Sequence, residues 1–286
     1  MSIKVENITF TYMPGTPYER QALKQITLEI KKGEFVAIIG HTGSGKSTLV
    51  QHLNGLLNPS TGKVLINGVN LAEKNKSKQE RRLVGMVFQY PEHQLFAETI
   101  YEDIAFGPRN LLMTEIQVEA QVREAMRFVG LDYETFKDRS PFQLSGGQMR
   151  RVAIAGVVAM QPDFLILDEP SAGLDPKAKK AIFQEIYKLY KSQNIAIILV
   201  THNMEEAAKY AQRILVMSEG EIVCDDTPEK IFLEKLQQLD VAGVDIPEVV
   251  KLANKLKAQK LTSHAYNATT LELQQDIYQT LRGKSK

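Results

Sequence analysis

A short apolar strand, a glycine-rich loop and a helix follow one another near the N-terminus and restrict the fold more than any other feature. Residues 35–39 read FVAII, the loop GHTGSGKS fits Gly-x-x-x-x-Gly-Lys-Ser, and STLVQHLNGLL continues with helical spacing. Loops of this pattern wrap closely around phosphate oxygens, because glycine adopts backbone angles that other residues avoid. The flanking strand and helix make a chance glycine turn a poor alternative. The segment therefore predicts a phosphate site at the edge of a buried sheet.

The positions of this loop have separate expected parts in holding a nucleotide. Lys46 is expected to reach the β- and γ-phosphates, and the Ser47 hydroxyl to bind Mg²⁺. Backbone N–H groups and the neighbouring side chains would surround the phosphate oxygens. The predicted binding residues are Gly40, His41, Thr42, Gly43, Ser44, Gly45, Lys46, Ser47 and Thr48.

Two acidic residues follow another buried strand. Residues 164–169 read FLILDE, so Asp168 and Glu169 lie at the carboxyl end of the strand, where ligands bind in α/β proteins. Asp168 is expected to hold Mg²⁺, and Glu169 to orient or deprotonate an attacking water as general base. Taken alone, an Asp-Glu pair before Pro170 is as typical of a solvated turn, but the phosphate loop favours the catalytic interpretation.

A second glycine motif, LSGGQ, occupies residues 144–148. Its simplest interpretation is a helix start, because Ser145 and Gln148 have the spacing of a capping box. That interpretation leaves Gly146 and Gly147 unexplained, since each glycine in a helix costs about 1 kcal/mol relative to alanine. The absence of side chains exposes backbone N–H groups at the positive end of a helix, which is typical of an anion site.

The composition limits the classes of partner. The 286 residues carry 35 basic and 34 acidic side chains and a formal net charge of +1, so no overall field favours nucleic acid or an anionic membrane. The single cysteine, Cys224, fits a reducing compartment and is expected to be an inert strand residue. No apolar run approaches the roughly 18 residues that span a bilayer. A soluble or peripheral, cytosolic protein is expected.

Apolar runs and helical spacing predict the order of the elements. Runs rich in Ile, Val and Leu predict buried parallel strands at 35–39, 83–88, 164–167, 195–200 and 214–217. Alternating residues within the first thirty positions predict antiparallel strands beside that core. Thr114 and Gln117 form a capping box and Gly130 a stop, which predicts a helix at 114–129 inside a helical insertion at about 90–160.

A charged helical segment is predicted at the C-terminus. Thr227 and Pro228 have the pattern of a helix start, with proline at the first helical position. Leu273, Ile277 and Leu281 fall four residues apart and therefore share one helical face.

The motifs resemble one family in their order. GHTGSGKST, VFQ ending at Gln89, LSGGQ, LILDEP, SAGLD and Thr201-His202 follow one another, and over residues 3–230 this order resembles the ATP-binding cassette (ABC) ATPases. The resemblance implies an α/β fold: a RecA-like P-loop NTPase core, a flanking antiparallel β subdomain and an inserted α-helical subdomain. It also implies an ABC ATPase domain at residues 1–230 and a small helical extension at 231–286 that helps to pair two ATPases.

In that family two ATPase domains pair head to tail, and each ATP lies between the phosphate loop of one and the LSGGQ of the other. The resemblance therefore implies that Ser145, Gly146, Gly147 and Gln148 meet a nucleotide held by a partner. Such a site would use ATP and Mg²⁺ as its cofactors, with Ser47, Asp168 and Gln89 near the ion.

The remaining family positions match four further residues. Gln89 would approach Mg²⁺ and the attacking water, His202 would contact the γ-phosphate, Asp175 would lie at the dimer seam, and Tyr12 would stack on adenine. Each has an alternative: Asp175 precedes Pro176 and His202 precedes Asn203, both plausible helix starts. For Tyr12, the alternatives for adenine stacking are Phe10 and Tyr18.

The segment after Gln89 resembles a narrower group. VFQYPEHQLFAETIYEDIAFGPRN, with Pro91, Glu92, His93 and Gln94, resembles the ATPase subunits of energy-coupling-factor importers of prokaryotes, of the second, A-prime type. That resemblance implies a peripheral protein at the cytoplasmic membrane face, which energises uptake of vitamins or metal ions. Its expected partners are a related ATPase, a transmembrane T subunit that contacts residues 89–110, and a substrate-binding S subunit. A second copy of this chain remains the alternative to a related ATPase.

Other functions are compatible with parts of the sequence. A cassette that binds ATP without hydrolysis would lack the base or the switch histidine, whereas Glu169 and His202 are both present. Repair and translation ATPases of the family carry a long coiled coil or two cassettes, and neither pattern occurs. The Asn-Lys-x-Asp motif that recognises guanine in GTPases does not occur, which disfavours a GTPase. No nucleic acid partner is expected.

Overall fold

The computed structural model describes residues 1–73 and 76–284. Within these ranges the strands are β1 (Ser2–Tyr12), β2 (Arg20–Lys31), β3 (Phe35–Ile39), β4 (Thr61–Ile66), β5 (Val69–Asn70), β6 (Val84–Val87), β7 (Phe164–Asp168), β8 (Ala196–Val200), β9 (Arg213–Ser218) and β10 (Glu221–Asp226). The helices are α1 (Lys46–Leu53), α2 (Lys78–Arg81), α3 (Ile100–Asn110), α4 (Glu115–Phe128), α5 (Tyr133–Phe136), α6 (Gly146–Val158), α7 (Pro176–Gln193), α8 (Met204–Tyr210), α9 (Pro228–Glu234), α10 (Leu236–Val241), α11 (Glu248–Ala258) and α12 (Thr270–Lys284).

The central sheet has the order β10-β9-β3-β8-β7-β6, and its strands are parallel except for β10. All residues of β3, β7 and β8 are buried, which explains why these strands read as unbroken apolar runs. The parallel strands predicted from those runs are therefore confirmed, with ends shifted by one residue or so. Their carboxyl ends bring the phosphate loop, Asp168 and Thr201 to one edge of the sheet.

A second, antiparallel sheet of order β2-β1-β4-β5 lies beside the core. Alternate residues of β1 point inward: Ile3, Val5 and Ile8 are fully buried and share a hydrophobic cluster with Leu49 and Leu53 of α1. This confirms the antiparallel strands predicted from the alternation, and it places β1 and β2 next to the phosphate loop.

Helices α3 to α6 lie between β6 and β7. The capping box of α4 is present, with both Thr114 and Gln117 bonding each other's backbone, and Gly130 has a φ of +70°. Ile104, Val122 and other apolar residues of these helices pack on Val152 of α6. The helices thus form a layer of their own on one side of the sheet.

The C-terminal helices pack on the same face of the central sheet, beside β3 and β9. Ile231, Phe232 and Leu239 join a cluster with Ala37 and Ile39 of β3. On α12, Leu273 is buried, whereas Leu281 is 46% exposed, so the predicted apolar face is covered mainly at its start. The expected extension at 231–286 includes two final residues outside the described ranges. In the described part of the chain, no helix has the length and apolarity needed to cross a membrane.

Candidate nucleotide site

The loop between β3 and α1 has the backbone that a phosphate cradle needs. Gly40 and Gly45 have φ values of +151° and +105°, and a Cβ on them would lie 2.2 Å from the Met217 carbonyl oxygen and 2.7 Å from that of Ala22. Only glycine avoids both the steric overlap and the backbone strain at these positions. The loop therefore passes closely under β2 and β9 without blocking its open side.

Lys46 lies at the start of α1 and is 5% exposed. Its Nζ donates hydrogen bonds of 2.8 and 2.9 Å to the carbonyl oxygens of Gly40 and His41, which leaves one N–H donor for a ligand. Burial lowers the pKa of this ammonium, against the attraction of Glu169 and Asp168. A phosphate group at this point would supply a negative counter-charge to the buried ammonium.

Three polar side chains from distant positions meet at the carboxyl edge of the sheet. Gln89 Nε2 donates to Glu169 Oε2 at 2.9 Å, and His202 Nε2 lies 2.7 Å from Glu169 Oε1. Glu169 itself has a φ of +49°, an uncommon value for a residue with a side chain. The turn after β7 thus aims the carboxylate between the other two side chains.

An open cavity of about 390 Å³ joins the phosphate loop to this cluster. The described residues that line it are Tyr12, Arg20, Ala22, Thr42, Gly43, Gly45, Lys46, Ser47, Thr48, Gln89, Glu169 and His202. Six of the nine predicted loop residues therefore lie around one space with Tyr12, Gln89, Glu169 and His202.

Among the three aromatic candidates for adenine, the structure places Tyr12 at the cavity. Its hydroxyl lies 3.2 Å from Thr48 Oγ1, and its ring is 39% exposed. Phe10 instead packs between the rings of Tyr12 and His52. Tyr18 is 79% exposed and does not belong to the lining residues.

The LSGGQ segment lies elsewhere, and none of its residues lines the described cavity. Ser145 and Gln148 form the capping box at the start of α6. A Cβ on Gly146 would meet no described atom within 4 Å, and one on Gly147 only Leu174 Cδ2 at 3.8 Å. Nothing described within this chain therefore requires glycine at either position.

Asp175 also lies outside the cavity lining. Its carboxylate accepts hydrogen bonds of 2.9 Å from the N–H groups of Lys177 and Ala178. This geometry confirms the helix-start interpretation of Asp175, and it leaves the dimer-seam role as a separate prediction. Asn203 caps α8 in the same way through Glu205 and Glu206.

Known proteins of similar sequence include ATP-binding proteins of transporters. The ABC transporter domain family matches residues 23–172. The energy-coupling factor transporter ATP-binding protein EcfA2 of Clostridium tetani is 53% identical over 273 residues, 95% of this chain and 94% of its own. The EcfA2 protein of Clostridioides difficile is 50% identical over 99% of both chains. The chain belongs to the ABC transporter family of ATPases.

Solved structures agree with this assignment. The protein cbiO1 of Clostridium perfringens, described as part of the ABC transporter complex cbiONQ, has a TM-score of 0.71 and 38% identity, covering 84% of this chain and 94% of its own. The ATP-binding cassette MJ0796, solved as a dimer in a post-hydrolysis state with ADP and Pi, has a TM-score of 0.70 and 32% identity, covering 79% and 98%. The fold and the ATPase activity predicted from the sequence are therefore confirmed.

Three polar residues of this ABC ATPase site carry no sequence signal of their own. Arg20 lines the cavity and donates to the Gly43 carbonyl at 3.2 Å. Glu206 is buried beside the loop that holds His202. Arg150, in the helix after LSGGQ, is 2% exposed.

Arg150 connects three segments of the site. Its Nη2 donates to the Gln89 carbonyl at 2.6 Å, and its Nε lies 3.4 Å from Glu92 Oε2. Its Nη1 donates to the carbonyl of Ala172, beyond the turn that carries Glu169. The fork of the guanidinium suits this task, because it donates in several fixed directions at once.

The C-terminal helices also reach the phosphate loop of the ABC ATPase. The N–H group of His41 donates to the Ala242 carbonyl at 3.3 Å, and a Cβ on Gly243 would lie 3.5 Å from His41 Cβ. The loop is therefore supported by β2, β9 and the end of α10.

Asp168 lies in the core of the site, and its buried carboxylate lowers the free energy of unfolding. Burial raises the pKa of its carboxyl above the ordinary 3.8, against an opposing hydrogen bond from Ser47. The folded chain then holds this proton more tightly than the unfolded chain. The unfolding free energy falls as the pH rises from the unfolded to the folded pKa, and it stays lowered at neutral pH.

We expect Asp168→Asn to raise the thermal unfolding midpoint of the nucleotide-free, Mg²⁺-free protein at about pH 7.5, because the amide carries no buried charge. The gain should shrink as the pH is lowered through the raised pKa of Asp168. Thermal unfolding of both proteins in EDTA over a pH series measures it. A lower midpoint for the variant at neutral pH would contradict the assignment of a destabilising buried charge.

Proposed function

We propose that this chain is the ATP-hydrolysing subunit of an energy-coupling-factor importer, attached peripherally to the cytoplasmic face of a prokaryotic membrane. The observation that carries the proposal is an apolar groove of about 590 Å³ next to the segment that follows Gln89. The groove lies between α3 and α6, and its lining includes Leu95, Phe96, Phe106 and Val157. Exposed apolar surface of this kind marks a partner site.

The two aromatic rings of the groove are unusually open to solvent. Phe96 is 61% and Phe106 51% exposed, and their centroids lie 5.0 Å apart in an edge-to-face pair. Asp103 between them is engaged internally, accepting from the N–H groups of Phe96 and Ala97. An apolar helix of a membrane subunit would find two rings held in place there. Seven of the fifteen described lining residues of the groove belong to the predicted contact region 89–110.

The position of the groove supports a link between membrane partner and nucleotide. One wall is α6, which begins at LSGGQ. The other leads back to Gln89, whose side chain bonds Glu169. A partner helix in the groove would therefore press on both halves of the catalytic apparatus. We assign it to a transmembrane T subunit, which in turn would carry an S subunit for a vitamin or metal ion.

The same proposal divides each ATP site between two polypeptides. The phosphate loop of this chain holds ATP, and LSGGQ of a second ATPase closes over the γ-phosphate, while Gly146 and Gly147 of this chain do the same for the partner's nucleotide. The A-prime resemblance favours a related ATPase as the second chain rather than another copy. The C-terminal extension would add to their contact.

The side chains of the site fit MgATP. Ser47, Asp168 and Gln89 supply the oxygen ligands that Mg²⁺ prefers, and the ion would supply positive charge to the phosphate oxygens during transfer. Lys46 would hold the β- and γ-phosphates, Tyr12 the adenine, and His202 the γ-phosphate. Glu169 would orient the attacking water and take up its proton.

Purification from membranes in mild detergent tests the proposal. The tagged chain should bring along a related ATPase and a multispanning membrane protein. Phe106→Glu should lose the membrane protein while keeping the ATPase, because a charge in the apolar groove costs several kcal/mol on burial. Ile116→Glu is the matched control, since Ile116 lies on α4 and is 85% exposed. Recovery of cytosolic proteins alone would refute the importer.

A further inference from the structure

Glu206 is a buried carboxylate that lies behind the catalytic cluster rather than in it. It is 5% exposed. Its Oε2 accepts a hydrogen bond of 2.7 Å from Thr201 Oγ1. Its Oε1 accepts from Ser171 Oγ at 2.9 Å and lies 2.7 Å from Lys179 Nζ. The carboxylate therefore joins two segments of the chain through its two oxygens.

The first segment is the loop between β8 and α8 that presents His202. Thr201 Oγ1 also accepts from the N–H group of Asn203 at 3.0 Å, and Asn203 Oδ1 accepts from the N–H group of Glu206 at 3.1 Å. Glu206, Thr201 and Asn203 thus close a ring of hydrogen bonds around the residue between them. His202 has little freedom in its backbone as a result.

The second segment is the turn that presents Glu169, together with the start of α7. Ser171 follows Glu169 by two residues, and the N–H group of Ala172 donates to the Glu169 carbonyl at 3.1 Å. Lys179 lies one turn into α7, where its N–H group donates to the carbonyl of Asp175 at 2.9 Å. Through Ser171 and Lys179 the Glu206 carboxylate contacts both the turn after Glu169 and the first part of α7.

An ion pair and hydrogen bonds, rather than apolar packing, hold this network together. A buried carboxylate is costly unless it is paired and hydrogen-bonded, and here one cation and two hydroxyls satisfy it. Three donors fill most of the acceptor positions of a carboxylate. The fold therefore keeps an ionised group at this point instead of an apolar side chain.

We propose that Glu206 is a positioning residue that sets the distance between His202 and Glu169, because it ties the loop of each to one carboxylate. The inference rests on the proposed ATPase site and deepens it. Glu206 has no contact with the cavity that receives the nucleotide. Its loss should therefore alter the alignment of the catalytic pair and leave nucleotide binding nearly unchanged.

Steady-state ATP hydrolysis by the chain assembled with its partner subunits tests this role. Glu206→Gln keeps the size of the side chain but loses the charge that holds Lys179. We expect kcat to fall about 10- to 100-fold, as misplacement of catalytic groups does, with KM and the dissociation constant of MgATP changed by about two-fold or less. Glu185→Gln is the matched control, since Glu185 pairs with Lys188 on the outer part of α7.

A double variant separates positioning from general loss of structure. If Glu206 acts through His202, Glu206→Gln should lower kcat little further in a His202→Ala background, because the two residues act as one unit. Multiplicative losses, or an unchanged kcat in Glu206→Gln, would overturn the inference. Should Glu206→Gln fold poorly, Ser171→Ala removes a single hydrogen bond and carries the same test. Wild-type hydrolysis, measured alongside, reports separately on the proposed function.

Discussion

Replacing Glu169 by glutamine is expected to leave ATP binding intact and to lower the rate of hydrolysis about 1,000-fold. Glutamine has the size of glutamate and can keep both neighbours, offering its oxygen to Gln89 and its amide to His202. The backbone of the turn, with its φ of +49°, need not change. What is lost is the negative charge that is proposed to take up the proton of the attacking water.

Two measurements on Glu169→Gln check this expectation. The dissociation constant of MgATP should match that of the wild-type chain. Turnover should be assayed with the partner subunits present, because in the proposed function each site includes the LSGGQ of a second ATPase. Glu119→Gln, an exposed glutamate paired with Arg123, is the control for the substitution itself. Turnover at the normal rate in Glu169→Gln would refute its assignment as the general base.

Replacing Gly147 by valine is expected to give a chain that is as stable as the wild type and yet inactive. A Cβ at this position meets only Leu174 Cδ2, at 3.8 Å, and removing a helical glycine is favourable by a few tenths of a kcal/mol. The branched side chain would instead occupy the space that receives a partner's γ-phosphate in the proposed pair. Hydrolysis should fall about 100-fold or more, as it does when an oxyanion donor is lost.

The Gly147→Val variant carries its own controls. Its thermal unfolding midpoint and its affinity for MgATP should equal those of the wild-type chain, since its phosphate loop is untouched. The loss should be confined to pairing and turnover. A variant that loses stability together with activity would place the need for glycine inside the chain and would contradict the divided site.

Local patterns in the sequence predict much of the core. The all-apolar β3, the capping box of Thr114 and Gln117 and the glycines of the phosphate loop are each determined within a few residues, so sequence spacing suffices for them. The convergence of Gln89, Glu169 and His202 could be predicted only from the order of the motifs, which resembles that of a known family. No spacing rule brings residues 80 positions apart within hydrogen-bond distance.

The residues that hold the site together could not be predicted. Arg150 and Glu206 are ordinary helical residues in sequence, and their partners lie 61 and 35 positions away. Their roles depend on burial, which turns an exposed charge into one that must be paired. The contact of Ala242 with the phosphate loop likewise depends on how the C-terminal helices pack. Short strands such as β5 have too few residues to give a pattern.

Sedimentation equilibrium of the Glu169→Gln chain tests most directly whether each ATP site is divided between two polypeptides. The chain is measured alone and mixed with the related ATPase of the same transporter, with and without MgATP. We expect a nucleotide-dependent pair that Gly147→Val abolishes. Chains that bind MgATP and yet stay monomeric in both settings, or that pair equally well with valine at position 147, would contradict it.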